Sequence, residues 1–135
     1  MSLMRNSGKV EKGWGWEDIW ATNHLYCGKI LNFKEGGKFS MHFHAAKDET
    51  WYVLHGKFLV ESIDTTTAAL SQRILNPGDT WRNRPLEPHR LVCTSIGGGA
   101  IIEVSTADSV EDNYRVMPGD SQIKLPEIEM EFKNE

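Results

Sequence analysis

At 135 residues the chain is long enough for one substantial core and too short to hold two domains comfortably. Its 39% hydrophobic and 25% charged residues are ordinary for a globular protein, and no apolar run approaches the ~20 residues of a helical membrane span. A net charge of −4, with basic residues scattered along the chain, lacks the electrostatic footprint expected of a nucleic-acid-binding protein.

The first three residues precede a second methionine, Met4, and are set aside as an added leader; a secretory apolar stretch is missing. One domain is expected over 4–135. Cys27 and Cys93 are too few for a disulfide framework, which points to reduced thiols and a cytoplasmic location. Five tryptophans, at 14, 16, 20, 51 and 81, suggest a walled cavity or an association surface beside ordinary core packing.

Helical periodicity is absent, while short β-branched and aromatic runs recur between turn residues, the pattern of an all-β barrel or sandwich. Strands are predicted near 26–33, 38–44, 49–55, 57–64, 70–75, 80–84, 88–95 and 100–106. The breaks between them include Gly36-Gly37, His55-Gly56, Asn76-Pro77-Gly78-Asp79 and Gly97-Gly98-Gly99, all suited to turns. Residues 64–69 read as a loop. The acidic tail 118–135 carries interspersed apolar residues and reads as a last strand or an arm on a neighbouring subunit.

Chemistry concentrates in GGKFSMHFHAAKDETWYVLHG, residues 36–56. Strand residues two apart share a face, so His42 and His44 project together and both imidazoles can reach one ion. Glu49 begins the next strand, with Trp51 and Val53 following on its face, and His89 in PHRLVCTS supplies a fourth ligand. Three imidazoles and one carboxylate suit a divalent metal, zinc first, with iron, manganese, nickel or cobalt as alternatives. Coordination beyond four leaves positions for water or a chelating substrate.

The segment fits GxxxxxHxHxxxxExxxxxxG without a gap, from Gly36 through His42, His44 and Glu49 to Gly56. It thereby resembles the first motif of the cupin superfamily, which implies a double-stranded β-helix, or jelly-roll barrel. The second motif is looser: Glu87 stands where glycine is usual and Cys93 where asparagine is common, while His89 keeps its place.

Within cupins, roughly residues 10–117 resemble the barrel of type II mannose-6-phosphate isomerases. The resemblance rests on GWGWEDIW, GKIL, SMHFHAAKDETW, PHRL, IIEVST and EDNYR. It implies aldose–ketose interconversion through a cis-enediol, a small sugar or sugar-phosphate partner, and a homodimer. His42 takes the family's usual glutamine position and Gly13 replaces its proline.

The resemblance nominates Lys29 and Arg115 for chemistry, with Glu103 of the IIEV run beside them and His55 as a weaker candidate base. Burial on an inward face is expected to lower the pKa of Lys29 toward that of a base. Glu103 is either a base or a partner that orients a ligand histidine. Arg115 is expected to close over the site and grip an anionic group, or else to pair with Glu111 or Asp112. Trp51 is the wall expected to stack on a sugar ring, and Lys47 lies at the cavity mouth or simply in solvent. Two other readings remain open, a carbohydrate-binding or regulatory cupin without turnover and an iron-dependent dioxygenase.

Overall fold

The computed structural model describes residues 8–123. Among them are eleven strands and no helix: β1 (Gly8–Lys12), β2 (Gly15–Thr22), β3 (Tyr26–Phe33), β4 (Met41–Phe43), β5 (Glu49–His55), β6 (Phe58–Ile63), β7 (Leu70–Leu75), β8 (Thr80–Asn83), β9 (His89–Cys93), β10 (Gly99–Thr106) and β11 (Tyr114–Met117). No helix of the described residues is long and apolar enough to cross a membrane.

The strands pair in a six-stranded sheet, β1-β2-β3-β10-β5-β8, and a five-stranded sheet, β11-β4-β9-β6-β7. From β3 to β11 the chain passes back and forth between the two sheets, and sequential strands pair directly only in the β6–β7 hairpin. That winding is the all-β jelly-roll barrel expected from the motif.

All eight strands read from the sequence are present. The one expected over 38–44 is reduced to Met41–Phe43, with Lys38 making an isolated bridge to Val92. Three strands escaped the reading. β1 contains Val10 as its one apolar residue, so it has no alternation to detect and owes its extension to pairing with β2. The burial pattern of β2 does not alternate cleanly, and every residue of the edge strand β11 is exposed. Residues 1–3, expected to be an added leader, and the tail from residue 124 lie outside the described residues. Within 118–123 the chain turns instead of forming a strand: the Asp120 carboxylate accepts from Lys38 N at 3.0 Å, and Gly13 N donates to Ser121 Oγ at 3.1 Å.

The core lies between the sheets. Leu31, Phe33, Trp51, Val53 and Ile101 of the larger sheet meet Phe58, Val60, Leu75, Leu91 and Cys93 of the smaller, and Phe33 crosses Phe58 edge to face at 5.1 Å. Trp14 and Trp51 join this core, Trp81 packs against it, and Trp16 and Trp20 stay on the outer face.

Strand register divides the inner face of the large sheet into rows. Leu31, Ile101 and Val53 form an apolar row; Lys29, Glu103 and Trp51 form the next. One end of the barrel interior is therefore hydrocarbon and the other carries charge, and the charged end is where the functional side chains gather. Replacing Phe58, which is fully buried at the apolar end, by Ala should cost about 3–5 kcal/mol through lost transfer energy and the cavity left behind. The expected result is a lower denaturation midpoint with an unchanged slope in urea.

Candidate metal centre

His42 occupies the middle of β4, His44 follows its last residue, and His89 opens β9 directly opposite His42. Strand alternation sends His42 and His44 inward together, and the β4–β9 pairing brings His89 beside them. Ring centroids stand 4.7 Å apart for His42 and His89, 5.0 Å for His42 and His44, and 5.5 Å for His44 and His89. One ring nitrogen from each lies within 4.8 Å of the others. Glu49, at the start of β5, reaches the cluster from the facing sheet.

The hydrogen bonds decide which nitrogen faces inward. His42 Nδ1 donates to the Ser40 carbonyl at 2.8 Å, His44 Nδ1 to the Asp112 carbonyl at 2.6 Å, and His89 Nδ1 to the Glu87 carbonyl at 2.9 Å. A carbonyl can only accept, so each neutral ring carries its hydrogen on Nδ1 and presents the Nε2 lone pair. His89 Nε2 is buried without a hydrogen-bond partner, and with its hydrogen on Nδ1 it has none to donate to Glu49 Oε1, which stands 2.8 Å away. The same oxygen is 3.8 Å from His44 Nε2. An orphaned buried nitrogen costs free energy that a coordinated cation removes. Three oriented lone pairs with a carboxylate beside them therefore fit a divalent metal.

The electrostatics favour the same protonation states. Burial, reinforced by His89 and His44, pushes the His42 pKa down to about 3, and burial also lowers that of His44. Burial works against ionisation of Glu49, yet His89 in its protonated form, together with the Lys47 ammonium, holds its carboxyl well below the usual range. Asn83 Nδ2 donates to Glu49 Oε1 at 3.2 Å.

His42, His44 and Glu49 line a cavity of about 410 Å³ shared with Lys29, Lys47 and Glu103. Glu103 is buried, and burial together with the Glu49 charge lifts its pKa to about 7. Trp51 Nε1 donates to its Oε1 at 3.0 Å and Lys47 Nζ to its Oε2 at 3.3 Å. Two neighbouring carboxyls are thus driven in opposite directions, Glu49 down and Glu103 up.

Several expectations change. Lys29 is buried as foreseen, but its pKa is raised: burial pulls it down, and the carboxylates of Glu103, Glu17 and Asp108 outweigh that pull. It is a held cation, not a poised base. Trp51 stands in the cavity wall with only 1% of its surface exposed, edge-on to Phe39 and His89, so it presents no open face for a sugar to stack upon. Lys47 is neither at the mouth nor in solvent; it is 5% exposed and lies 3.4 Å from Glu49 and 3.2 Å from Asp108. Arg115 is an exposed residue on β11, opposite His42, and reaches the cavity lining. Among the described residues it makes no ion pair with Glu111 or Asp112. His55 is exposed at the end of β5 and does not line the cavity.

Sequence reasoning missed Asp108, and named Asp112 only as a partner for Arg115. The Asp112 carboxylate accepts the backbone N–H groups of Ala45, Ala46 and Lys47 at 2.6, 3.1 and 3.0 Å, fixing the connection between His44 and Glu49. Leu86 sits at φ 69°, left-handed, where its N–H donates to the His44 carbonyl at 2.7 Å. No local pattern announces either contact. For Lys47 a signal existed, because extending the Glu49, Trp51, Val53 alternation back by one step puts Lys47 inside.

Similar folds occur in KdgF from Halomonas sp., 22% identical with a TM-score of 0.62, over 71% of this chain and 81% of that one. Oxalate decarboxylase from Bacillus subtilis is 18% identical with a TM-score of 0.67, over 82% of this chain and 30% of its own. CapF, in complex with 3-isopropenyl-tropolone, is 13% identical with a TM-score of 0.72, over 81% of this chain and 34% of its own. At such identities the likeness is one of fold, and the chain spans only about a third of the last two. No curated protein matches it. The cupin domain matches residues 29–105, more than half of the chain, and with the two-sheet barrel already described this places the protein in the cupin family.

Proposed function

We propose that the chain is a metal-dependent aldose–ketose isomerase acting on a sugar or sugar phosphate, of the mannose-6-phosphate isomerase type its sequence resembles. The observation that carries this reading is the meeting, on one cavity, of three inward imidazole Nε2 atoms with two buried carboxyls whose pKa values are shifted in opposite directions. Paired carboxyls separated in this way divide the labour of holding charge and moving a proton. A divalent cation on His42, His44, His89 and Glu49, zinc first among the candidates and iron, manganese, nickel or cobalt after it, would supply polarisation of a carbonyl oxygen.

The remaining requirement is to carry a proton between neighbouring carbons while an oxyanion develops. Glu103 is the residue assigned that proton. It borders the cavity, and Trp51 and Lys47 hold its two oxygens so that the carboxyl cannot turn away. Lys47, kept cationic by Glu103, Glu49 and Asp108 despite its burial, places positive charge where the oxyanion forms. Arg115 is assigned to the rim, where its guanidinium can grip an anionic group of the substrate. Lys29 moves no proton in this scheme, because its carboxylate neighbours hold it charged.

A second reading has one observation of its own. Both oxygens of Glu103 already accept hydrogen bonds, which suits a cupin that holds a carbohydrate without turning it over. Saturable binding without exchange of carbon-bound hydrogen identifies that case.

Purified protein should carry close to one metal per chain by elemental analysis, and His44→Ala should lose it; a variant retaining stoichiometric metal overturns the ligand assignment. Metal-loaded protein should exchange solvent deuterium into the carbon next to the carbonyl of a hexose or hexose phosphate. Glu103→Gln should slow that exchange by about 10²–10⁴-fold with metal content unchanged. No exchange with any common hexose or hexose phosphate would defeat the isomerase reading.

A further inference from the structure

Lys29 and Lys47 come from different elements, the middle of β3 and the β4–β5 connection, yet their ammonium groups meet at one carboxylate. Asp108 Oδ2 lies 3.0 Å from Lys29 Nζ and Asp108 Oδ1 lies 3.2 Å from Lys47 Nζ. The lysine side chains are 8% and 5% exposed, whereas that of Asp108 is 28% exposed. The aspartate therefore covers two buried cations from the solvent side. It belongs to the connection between β10 and β11, where residues 107–110 are all exposed and Asp112 is the anchor that fastens the far end.

The geometry points to an anion seat formed by Lys29 and Lys47, built to take a carboxylate or singly charged phosphoryl group of the substrate and filled in the free protein by Asp108. The inference rests on reading the cavity as a substrate site. One oxygen on each ammonium is the arrangement in which two lysines hold any small oxyanion, and Asp108 already displays it. The other neighbours of the pair are Glu17 at 3.6 Å from Lys29, and Glu49 and Glu103 at 3.4 and 3.3 Å from Lys47. Asp108 is the only one of these four carboxylates that contacts both lysines and belongs to an exposed connection. Its departure removes one negative charge from beside the two ammonium groups, which one anionic substrate group restores. Lys29 would then fix the substrate's anionic end, and Lys47 would bridge that end to the reacting centre beside Glu103.

A tethered carboxylate competes with a free anion at an effective concentration of at least the millimolar range. Removing it should therefore expose the seat. Metal-loaded wild type and Asp108→Asn are titrated calorimetrically with inorganic phosphate and, separately, with acetate. Asp108→Asn should bind at least one of these probes about tenfold more tightly, with metal content preserved and cooperative melting retained at a lower midpoint, since the two buried lysines lose a partner. Which probe gains more tells whether the seat prefers phosphoryl or carboxylate. On the Asp108→Asn background, Lys29→Gln should return affinity to the wild-type level; Lys47→Gln serves the same purpose if that variant does not melt cooperatively.

No gain with either probe in Asp108→Asn overturns the proposal. So does a gain that survives loss of the lysine charge, because the anion then sits on the metal. The titration reads binding without turnover, so a protein that tightens on phosphate but exchanges no deuterium keeps the seat and loses the isomerase assignment.

Discussion

Three imidazoles packed within a few ångströms of one another inside a barrel are an awkward arrangement unless each is told which way to present its proton. Here the instruction comes from backbone carbonyls: Ser40, Asp112 and Glu87 each take an Nδ1 hydrogen, so the Nε2 atoms converge as lone pairs. Burial then keeps the His42 and His44 rings neutral, since a charged imidazolium there would be both desolvated and set against its neighbours. The rest of the site follows from that constraint. His89 Nε2 is left unsatisfied, Glu49 is held ionised beside it, and the three imidazoles stand close enough together to share one cation.

Charged groups this deep would be destabilising singly, and the barrel assembles them as an alternating network. Lys47 touches Glu49, Glu103 and Asp108, while Lys29 touches Asp108 and Glu17. Each lysine stays protonated because several carboxylates share it, and Glu103 rises because it is buried and sits near ionised Glu49. Breaking one partner out of such a network leaves an uncompensated buried charge. The carboxylates that hold the lysines charged include Asp108, which covers the lysine pair, and Glu49, whose charge together with burial raises Glu103 against the pull of the lysines.

The two-sheet fold makes this economical in space. Register across β3, β10 and β5 places Lys29, Glu103 and Trp51 in one row, one step along the strands from the apolar row of Leu31, Ile101 and Val53. The apolar end provides the cohesive energy, through Phe33, Phe58 and their neighbours. The polar end is free to carry groups that would weaken a core, and it is closed by two short connections, His44 to Glu49 and Thr106 to Tyr114, that Asp112 binds together.

Much of the barrel and of the histidine cluster could be read from residue order. Alternation predicted β3 to β10, and the spacing from Gly36 to Gly56 predicted which strand faces carry His42, His44 and Glu49, because side-chain direction in a strand is a local property with period two. What tertiary structure alone decided were contacts between distant segments. Lys29 is raised and not lowered because Glu17 and Asp108 arrive from other strands and loops, and Trp51 is sealed because Phe39 and His89 pack against it. The edge strands β1 and β11, and β2 between β1 and β3, extend because partners pair with them, not because their own residues demand it. Lone pairs, charges and pairing partners are fixed by neighbours far along the chain, and local periodicity carries no record of them.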